Sequence, residues 1–357
     1  MATTEDTFAY RDRFGSAFAR TFFRRVGPGV ASSVGLGPAC EAGGDRRSAL
    51  VTALENGVNL VDTAIHARGQ RDERAVGEAL READVSRSEV YLSDKAGTIP
   101  FNGDRPDDPA AFVRREYVDT GLVETDELAA GSHCIAPAFL DDQVARSLSN
   151  LGVDSIDCYF LHTPEVHFEE RPREAAYDAV GKAFEALERR VKSGDIEHYG
   201  VTTWEALRVP ADHPRYLSLP ELVRRARRAA ERVGNESTSF RAVQLPFNVT
   251  MAGAFTVEAQ EGPDGEQSAL AFAHGAGLDV FATAPLAGGA LAEGLPEAVA
   301  SELAGDTPAQ RALNFARSAP GVVAALVGTG SVSHVRENVA AGTFTPLGAD
   351  AFDAVFT

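Results

Sequence analysis

Between residues 33 and 327 the chain switches eight times from a short apolar run to an amphipathic helical stretch, an alternation that leaves few folds open. The runs at 33–36, 59–62, 90–95, 156–162, 198–203, 242–248, 278–284 and 322–327 read as strands bounded by turn residues. Between and after them the spacing predicts helices at 46–55, 71–83, 140–151, 182–192 and 269–274, and helices opening at Ser218, Thr307 and Ser333. Ser218 with Pro220 and Glu221, and Thr307 with Pro308 and Gln310, place a capping hydroxyl, an early proline and a return acceptor where a helix begins. Nearly continuous apolar strands that alternate with helices imply a parallel sheet covered by helices. Eight such units favour a closed (β/α)8 TIM barrel over an open doubly wound sheet, and no Gly-x-Gly-x-x-Gly follows the first strand to argue otherwise.

The rest of the chain is organised around that body. Residues 1–32 read as an N-terminal extension with partial helix leading into a hairpin that closes one end of the fold, 33–345 as the barrel and 346–357 as a tail. Segments 98–137 and 249–268 are too long for ordinary connections, and the first carries Pro100, Gly103, Pro106, Pro109, Gly121 and Gly131. Both are expected to be functional loops at the C-terminal face, the first with short helical pieces.

A net charge of −18 excludes the basic face that nucleic acids or anionic membranes require. Lys95, Lys182 and Lys192 are the only lysines, and an acid-rich, lysine-poor surface suits a halophilic protein. Cys40, Cys134 and Cys158 are too few and scattered for a disulfide framework or a zinc site, which fits a reducing, cytoplasmic setting. No apolar run reaches the length of a membrane span, and Arg24 and Arg25 precede a Gly/Ser-rich stretch rather than a secretion signal's apolar core.

Three of the strands end on titratable residues: Asp62, Lys95 and His162. An isolated acid at a strand end is ordinarily a helix cap or a structural ion pair. Three such groups at the C-terminal ends of barrel strands, where barrel enzymes place their chemistry, instead point to one shared site. Side-chain alternation puts Leu60 with Asp62, and Phe160 with His162, on the same face.

With these residues the chain resembles the aldo-keto reductase family, in a bacterial and archaeal branch with a long insertion after the third strand. The matching blocks run in family order from about residue 33 to 341. They are 59–64 with Gly69 and Glu73, 90–95, 151–162, 191–196 with 199–201, 244–248, 284–286, and 327–331 with Glu337 and Asn338. The resemblance implies a barrel that binds NADP(H), with NAD(H) as the alternative, at its C-terminal mouth and reduces an aldehyde or ketone. It gives Lys95, Asp62 and His162 three of the family's four catalytic positions. The fourth, a tyrosine five residues after the aspartate, is Ala67. His66 is the substitute acid if its loop turns it inward, and Tyr117 and His133 in the long loop are weaker candidates.

The implied cofactor contacts are Thr202, Thr203, Gln244, Leu286, Gly328, Thr329, Gly330, Ser331, His334, Glu337 and Asn338; no metal is implied. Gln244 matches the residue that binds the nicotinamide amide, and Thr202 and Thr203 stand where many members have Ser-Asn. Thr283 replaces a stacking aromatic, with Trp204 nearby to help. Gly328, Thr329, Gly330 and Ser331 lead into a helix whose N-terminus suits phosphate. Gly328 and His334 occupy positions where a lysine and an arginine commonly grip the 2′-phosphate, so the resemblance leaves NADPH against NADH open. A cofactor-binding, catalytically weak sensor or partner subunit is the alternative to a working reductase.

Overall fold

The computed structural model describes residues 1–38 and 44–356, so Cys40 lies outside the described residues. An N-terminal helix, Thr4–Phe14, is capped by Thr3, whose side chain accepts from the Asp6 N–H, and is followed by a hairpin of β1 (Phe23–Val26) and β2 (Gly29–Ser32). Then come β3 (Val34–Gly37), β4 (Leu60–Asp62) and β5 (Tyr91–Ala96). The short pair β6 (Leu128–Ala129) and β7 (His133–Cys134) lies inside the first long loop and precedes β8 (Ile156–His162), β9 (Ile196–Thr202) and β10 (Phe240–Pro246). A second hairpin, β11 (Glu258–Gly262) and β12 (Gly265–Ser268), precedes β13 (Asp279–Thr283) and β14 (Val322–Gly328).

Eight of these strands close into a parallel barrel in the order β3, β4, β5, β8, β9, β10, β13, β14, back to β3. That is the closed (β/α)8 architecture the alternation implies. Inside it Leu60, Tyr91, Cys158, Phe160, Ala242, Phe281, Ala324 and Leu326 form one apolar cluster, with Val26 and Ala31 of the N-terminal hairpin joining it. The larger core lies between the strands and the surrounding helices. Along β5 the alternation is explicit: Tyr91 faces the interior cluster, whereas Leu92 belongs to the outer core.

The N-terminal hairpin lies across the bottom of the barrel. The Gly27 N–H donates to Asp279 Oδ2 at the start of β13 (3.2 Å), and the chain terminus bonds Ser155 Oγ (2.9 Å). This leaves the opposite end, where the strands terminate, as the mouth. Register there is fixed by the pairs Asp62 with Ser93, Lys95 with Phe160, His162 with Thr202, and Gln244 with Thr202.

Two segments depart from the sequence reading. The helix Arg173–Ser193 begins nine residues before the expected 182–192, because Ala176, Tyr177 and Val180 continue the buried face formed by Ala183, Phe184 and Leu187. Segment 249–268 holds the hairpin of β11 and β12, whose Glu- and Gln-rich strands carry no apolar alternation. It is tied down instead by the Gln260 amide, which accepts from Leu219 N–H (2.7 Å) and donates to Leu217 C=O (3.1 Å). In segment 98–137 the short helical pieces Pro109–Val113 and Thr125–Glu127 are present. A bridge between Thr98 and His133 folds this segment back onto the mouth. No described helix is long and apolar enough to cross a membrane.

Candidate active site

Asp62 is the last residue of β4 and pairs in register with Ser93, and Lys95, two residues further along β5, lies on the same face as Ser93. Lys95 Nζ lies 2.5 Å from Asp62 Oδ2 and donates a second bond to Thr63 C=O (2.7 Å). The other carboxylate oxygen of Asp62 accepts from Ser93 Oγ (2.7 Å) and Gln244 Nε2 (2.8 Å). A carboxylate has only acceptors, so this geometry fixes the Gln244 amide with its nitrogen toward Asp62 and its oxygen away. The ion pair is buried and its charges are matched by hydrogen bonds, the condition under which such a pair is tolerated.

His66 faces inward. Arg68, Gly69 and Gln70 all take positive φ (50°, 62° and 66°), which turns the loop sharply after the histidine. Gly69 is required there, because a Cβ would lie 1.8 Å from Gly103 C=O. The His66 ring packs against His162, with centroids 4.7 Å apart and 37° between planes. Both rings are half-buried, and His66 Nδ1 is covered without a protein partner. Burial, with Lys95 and His133 adding to it, pushes the His66 pKa down to about 4; burial, then His66 and His133, holds that of His162 well below the ordinary histidine value. Both imidazoles are therefore neutral at neutral pH and act there through N–H donation rather than as imidazolium.

Neither of the weaker candidates in the long loop reaches the carbonyl position as a free acid. The Tyr117 hydroxyl donates to Pro100 C=O (3.1 Å) inside the packed loop, and burial raises its pKa to about 12. His133 is buried against His162 C=O (2.7 Å) and His167 (3.0 Å), behind His162. Trp204 does not pack: it is 49% exposed just past β9, with its backbone N–H held by Glu165 (2.6 Å). The Glu165 carboxyl is raised to about 7, mainly by burial.

Behind Lys95, on the outer face of β5, Asp94 meets Glu73 of the helix Arg71–Glu82. Each carboxyl keeps one buried oxygen, Glu73 Oε1 and Asp94 Oδ2, without a hydrogen-bond partner. Burial raises both, and the neighbouring Glu73 charge pushes Asp94 further in the same direction. Composition and periodicity gave no signal for this pair, since two acids on a strand and a helix ordinarily face solvent.

The expected cofactor positions ring the same mouth. Thr202 and Thr203 are buried at the end of β9; Thr203 Oγ1 and Gln244 Oε1 are covered polar atoms without a protein partner. A hydroxyl and an amide oxygen left over on residues whose backbones are hydrogen-bonded neighbours fit a primary carboxamide, which offers one acceptor and two donors, and so fit a nicotinamide. Leu286 is half-buried between Ala284 and Ala287, both at positive φ (49° and 48°), in the loop after β13.

Gly328, Thr329, Gly330 and Ser331 lead into the helix Val332–Ala340, whose N-cap Ser331 accepts from the His334 N–H. Thr329 Oγ1 accepts from Ser331 N–H (3.1 Å), while the His334 side chain is exposed. Buried Arg46 braces this turn, donating to Thr329 C=O (3.0 Å) and Gly37 C=O (2.6 Å) and pairing with Asp72 (3.1 Å). Glu337 is half-buried and Asn338 buried on that helix. Among the described residues no cluster of His, Cys, Asp or Glu could hold a metal ion.

A model of the aldo/keto reductase family matches residues 44–355. The NADH-specific methylglyoxal reductase of Escherichia coli is 28% identical over 53% of this chain and 50% of the relative. The morphine 6-dehydrogenase of Pseudomonas putida is 26% identical over 37% and 32% respectively. The chain thus spans about half or less of the length of these curated relatives. The solved structure of an aldo-keto reductase from Bacillus halodurans in its holo form superposes with a TM-score of 0.62 at 20% identity, covering 94% of this chain and 95% of that one. Fold, mouth and family model converge: the chain belongs to the aldo/keto reductase family.

Proposed function

We propose that this chain is an NAD(P)H-dependent reductase of small aldehydes or ketones, working without the family's tyrosine. The observation that carries the reading is the buried Lys95–Asp62 pair beside the inward-facing rings of His66 and His162. When bound, a reduced nicotinamide supplies the hydride. Lys95 puts a fixed positive charge near the oxygen on which negative charge develops, and Asp62, itself held by Ser93 and Gln244, fixes the ammonium in place. The neutral imidazoles of His66 and His162 offer N–H donors to orient that oxygen, His66 standing in for the absent phenol. Gln244 Oε1 and Thr203 Oγ1 would hold the carboxamide, and the turn 328–331 the phosphates.

With glycine at 328 and an exposed histidine at 334, no basic clamp for a 2′-phosphate is supported, so NADH is expected to bind about as well as NADPH. The name of the Escherichia coli relative points the same way and puts methylglyoxal first among substrates to try. Buried free thiols at Cys134 and Cys158 suit a reducing, cytoplasmic compartment, and the charge of −18 a high-salt one.

The second reading, a cofactor-binding subunit with little catalysis, is favoured by Ala67. Titration of each nicotinamide against the fluorescence of Trp204, the sole tryptophan, followed by an NAD(P)H-oxidation assay on a panel of small carbonyls, tests both. Saturable quenching with turnover is the expected result. Quenching without turnover leaves the second reading, and no binding at all, confirmed by calorimetry, removes both.

A further inference from the structure

Backbone and ring of His162 are held by different groups, and both holds come from the two ends of segment 98–137. Its entrance and exit meet in the bridge between Thr98 and His133, flanked by bonds from Ile99 N–H to Ser132 C=O (2.9 Å) and from Cys134 N–H to Gly97 C=O (2.8 Å). Gly97 lets this ribbon pass against the end of β8, because a Cβ there would lie 2.5 Å from His162 C=O and 2.7 Å from His133 Nε2. At the exit, His133 Nε2 lies 2.7 Å from His162 C=O; a carbonyl only accepts, so the proton of that nitrogen is spent on the backbone of His162. At the entrance, Thr98 Oγ1 lies 3.1 Å from His162 Nδ1, nearer than Thr163 Oγ1 at 3.3 Å.

The hydroxyls decide which nitrogen of His162 carries the proton. Thr163 Oγ1 also lies 3.3 Å from His133 Nε2, but that nitrogen is protonated and cannot accept. Within the described residues, His162 Nδ1 is therefore the one acceptor that either hydroxyl proton can reach. A proton on Nδ1 would leave both hydroxyl protons unmatched, whereas a bare Nδ1 accepts one of them, the nearer Thr98 first. That assigns the His162 proton to Nε2, the nitrogen that no described residue bonds and that stays open to a ligand. Burial keeps this ring neutral, so it has a single N–H to offer. In the other tautomer it would turn a lone pair, and not a donor, toward a carbonyl oxygen.

We propose that Thr98 is a positioning residue of this site: its hydroxyl donates to His162 Nδ1, holds the ring's one proton on Nε2 and so presents an N–H to the substrate's carbonyl oxygen. The proposal rests on the reductase reading above. The hydrogen bond at one imidazole nitrogen sets what the other can do, and Thr98 makes the nearer of the two bonds at Nδ1. His162 keeps its proton throughout, so no proton passes through Thr98, which acts through the histidine and is not a catalytic residue. The long segment thereby has a second task besides covering the mouth, since its fold-back fixes the backbone of Thr98 against His133.

Two variants discriminate: Thr98→Val keeps the branched shape and removes the hydroxyl, and Thr98→Ser keeps the hydroxyl and removes the methyl. Nitrogen-15 NMR of histidine-labelled protein at neutral pH, with the His162 signals assigned by their loss in His162→Asn, should find His162 neutral and protonated on Nε2. Thr98→Val should show a share of His162 protonated on Nδ1, where it can donate to Thr163. Its kcat should fall by about three- to tenfold, the worth of one hydrogen bond, while Trp204 quenching by NADH is unchanged. Thr98→Ser should restore both the tautomer and kcat. A wild-type His162 protonated on Nδ1, an unaltered tautomer in Thr98→Val, or a Thr98→Ser enzyme no better than Thr98→Val overturns the role of Thr98 alone. Wild-type protein that binds cofactor yet reduces no carbonyl overturns the reductase reading, and the spectra then still uphold or overturn the hold of Thr98 on the ring.

Discussion

Lys95 Nζ sits 2.5 Å from Asp62 Oδ2, with both side chains almost wholly buried. Removing one member of such a pair strands the other charge away from water, which costs about 3–5 kcal/mol. Asp62→Asn is expected to lower the melting temperature and to abolish carbonyl reduction together. Lys95→Met, which leaves Asp62 with only its Ser93 and Gln244 partners, should do likewise. The double variant Asp62→Leu/Lys95→Met should recover much of the stability and none of the activity. Equal stability in the two single variants and the wild type would mean that the pair is solvated in solution.

Asp62, Lys95 and His162 were legible because each terminates an apolar strand, and the barrel places strand ends together. The direction of His66 was not legible, since it depends on positive φ at Arg68 and Gln70, residues that carry no glycine signal. The His133–His167 contact spans 34 residues between a two-residue strand and a short helical turn, too short for periodicity to carry information. The Asp94–Glu73 pair was hidden for a related reason: two acids read as a solvated face until the helix and strand are docked. What composition and spacing do convey is the frame; the polar contacts that tune the site come from loops.

Acid and alkali should each weaken the fold, through different groups. The neutral buried histidines have pKa values depressed from 6.5 to about 4 at His66 and His133 and about 3 at His167. The unfolded chain takes up their protons first as pH falls, so their contribution is complete above about 6.5 and is lost as pH drops toward 4. For Asp94 and Glu73, raised from 3.8 and 4.5, the sign is opposite: their contribution is complete below those values and declines as pH rises toward the folded pKa values. Asp94→Asn, which removes one of the two buried acids, should raise the melting temperature at neutral pH and flatten the decline as pH rises. Melting curves at closely spaced pH values check both signs, and an unchanged decline in Asp94→Asn would deny that burial raises the Asp94 carboxyl.

A net charge of −18 on 357 residues predicts self-repulsion that salt relieves. The melting temperature should climb steeply between low salt and about 1 M KCl, where the Debye length shrinks to about 3 Å. Sucrose at matched osmolality should not reproduce the gain. A transition indifferent to KCl would remove the high-salt reading of the composition.

Ala67 separates a working reductase from a cofactor-binding relative. It follows His66 in a loop whose histidine reaches His162, and stands five residues after Asp62, the spacing at which the family resemblance implies a tyrosine beside the lysine. An ammonium lowers the pKa of a neighbouring phenol and makes it a better proton donor at neutral pH. Ala67→Tyr should therefore raise aldehyde reduction by about tenfold or more, within the 10²- to 10⁴-fold range typical of a positioned general acid. His66→Ala in the unmodified protein should lower kcat by about tenfold while cofactor quenching of Trp204 stays constant, because the ring orients the carbonyl and lies apart from the phosphate turn. Gain with tyrosine and loss without His66 describe an enzyme that uses histidine where its relatives use a phenol. Gain alone describes a site that has lost its acid. Loss alone describes a histidine whose placement a tyrosine one residue later does not copy. No turnover in any variant, with cofactor bound throughout, leaves the binding-subunit reading in place of the reductase.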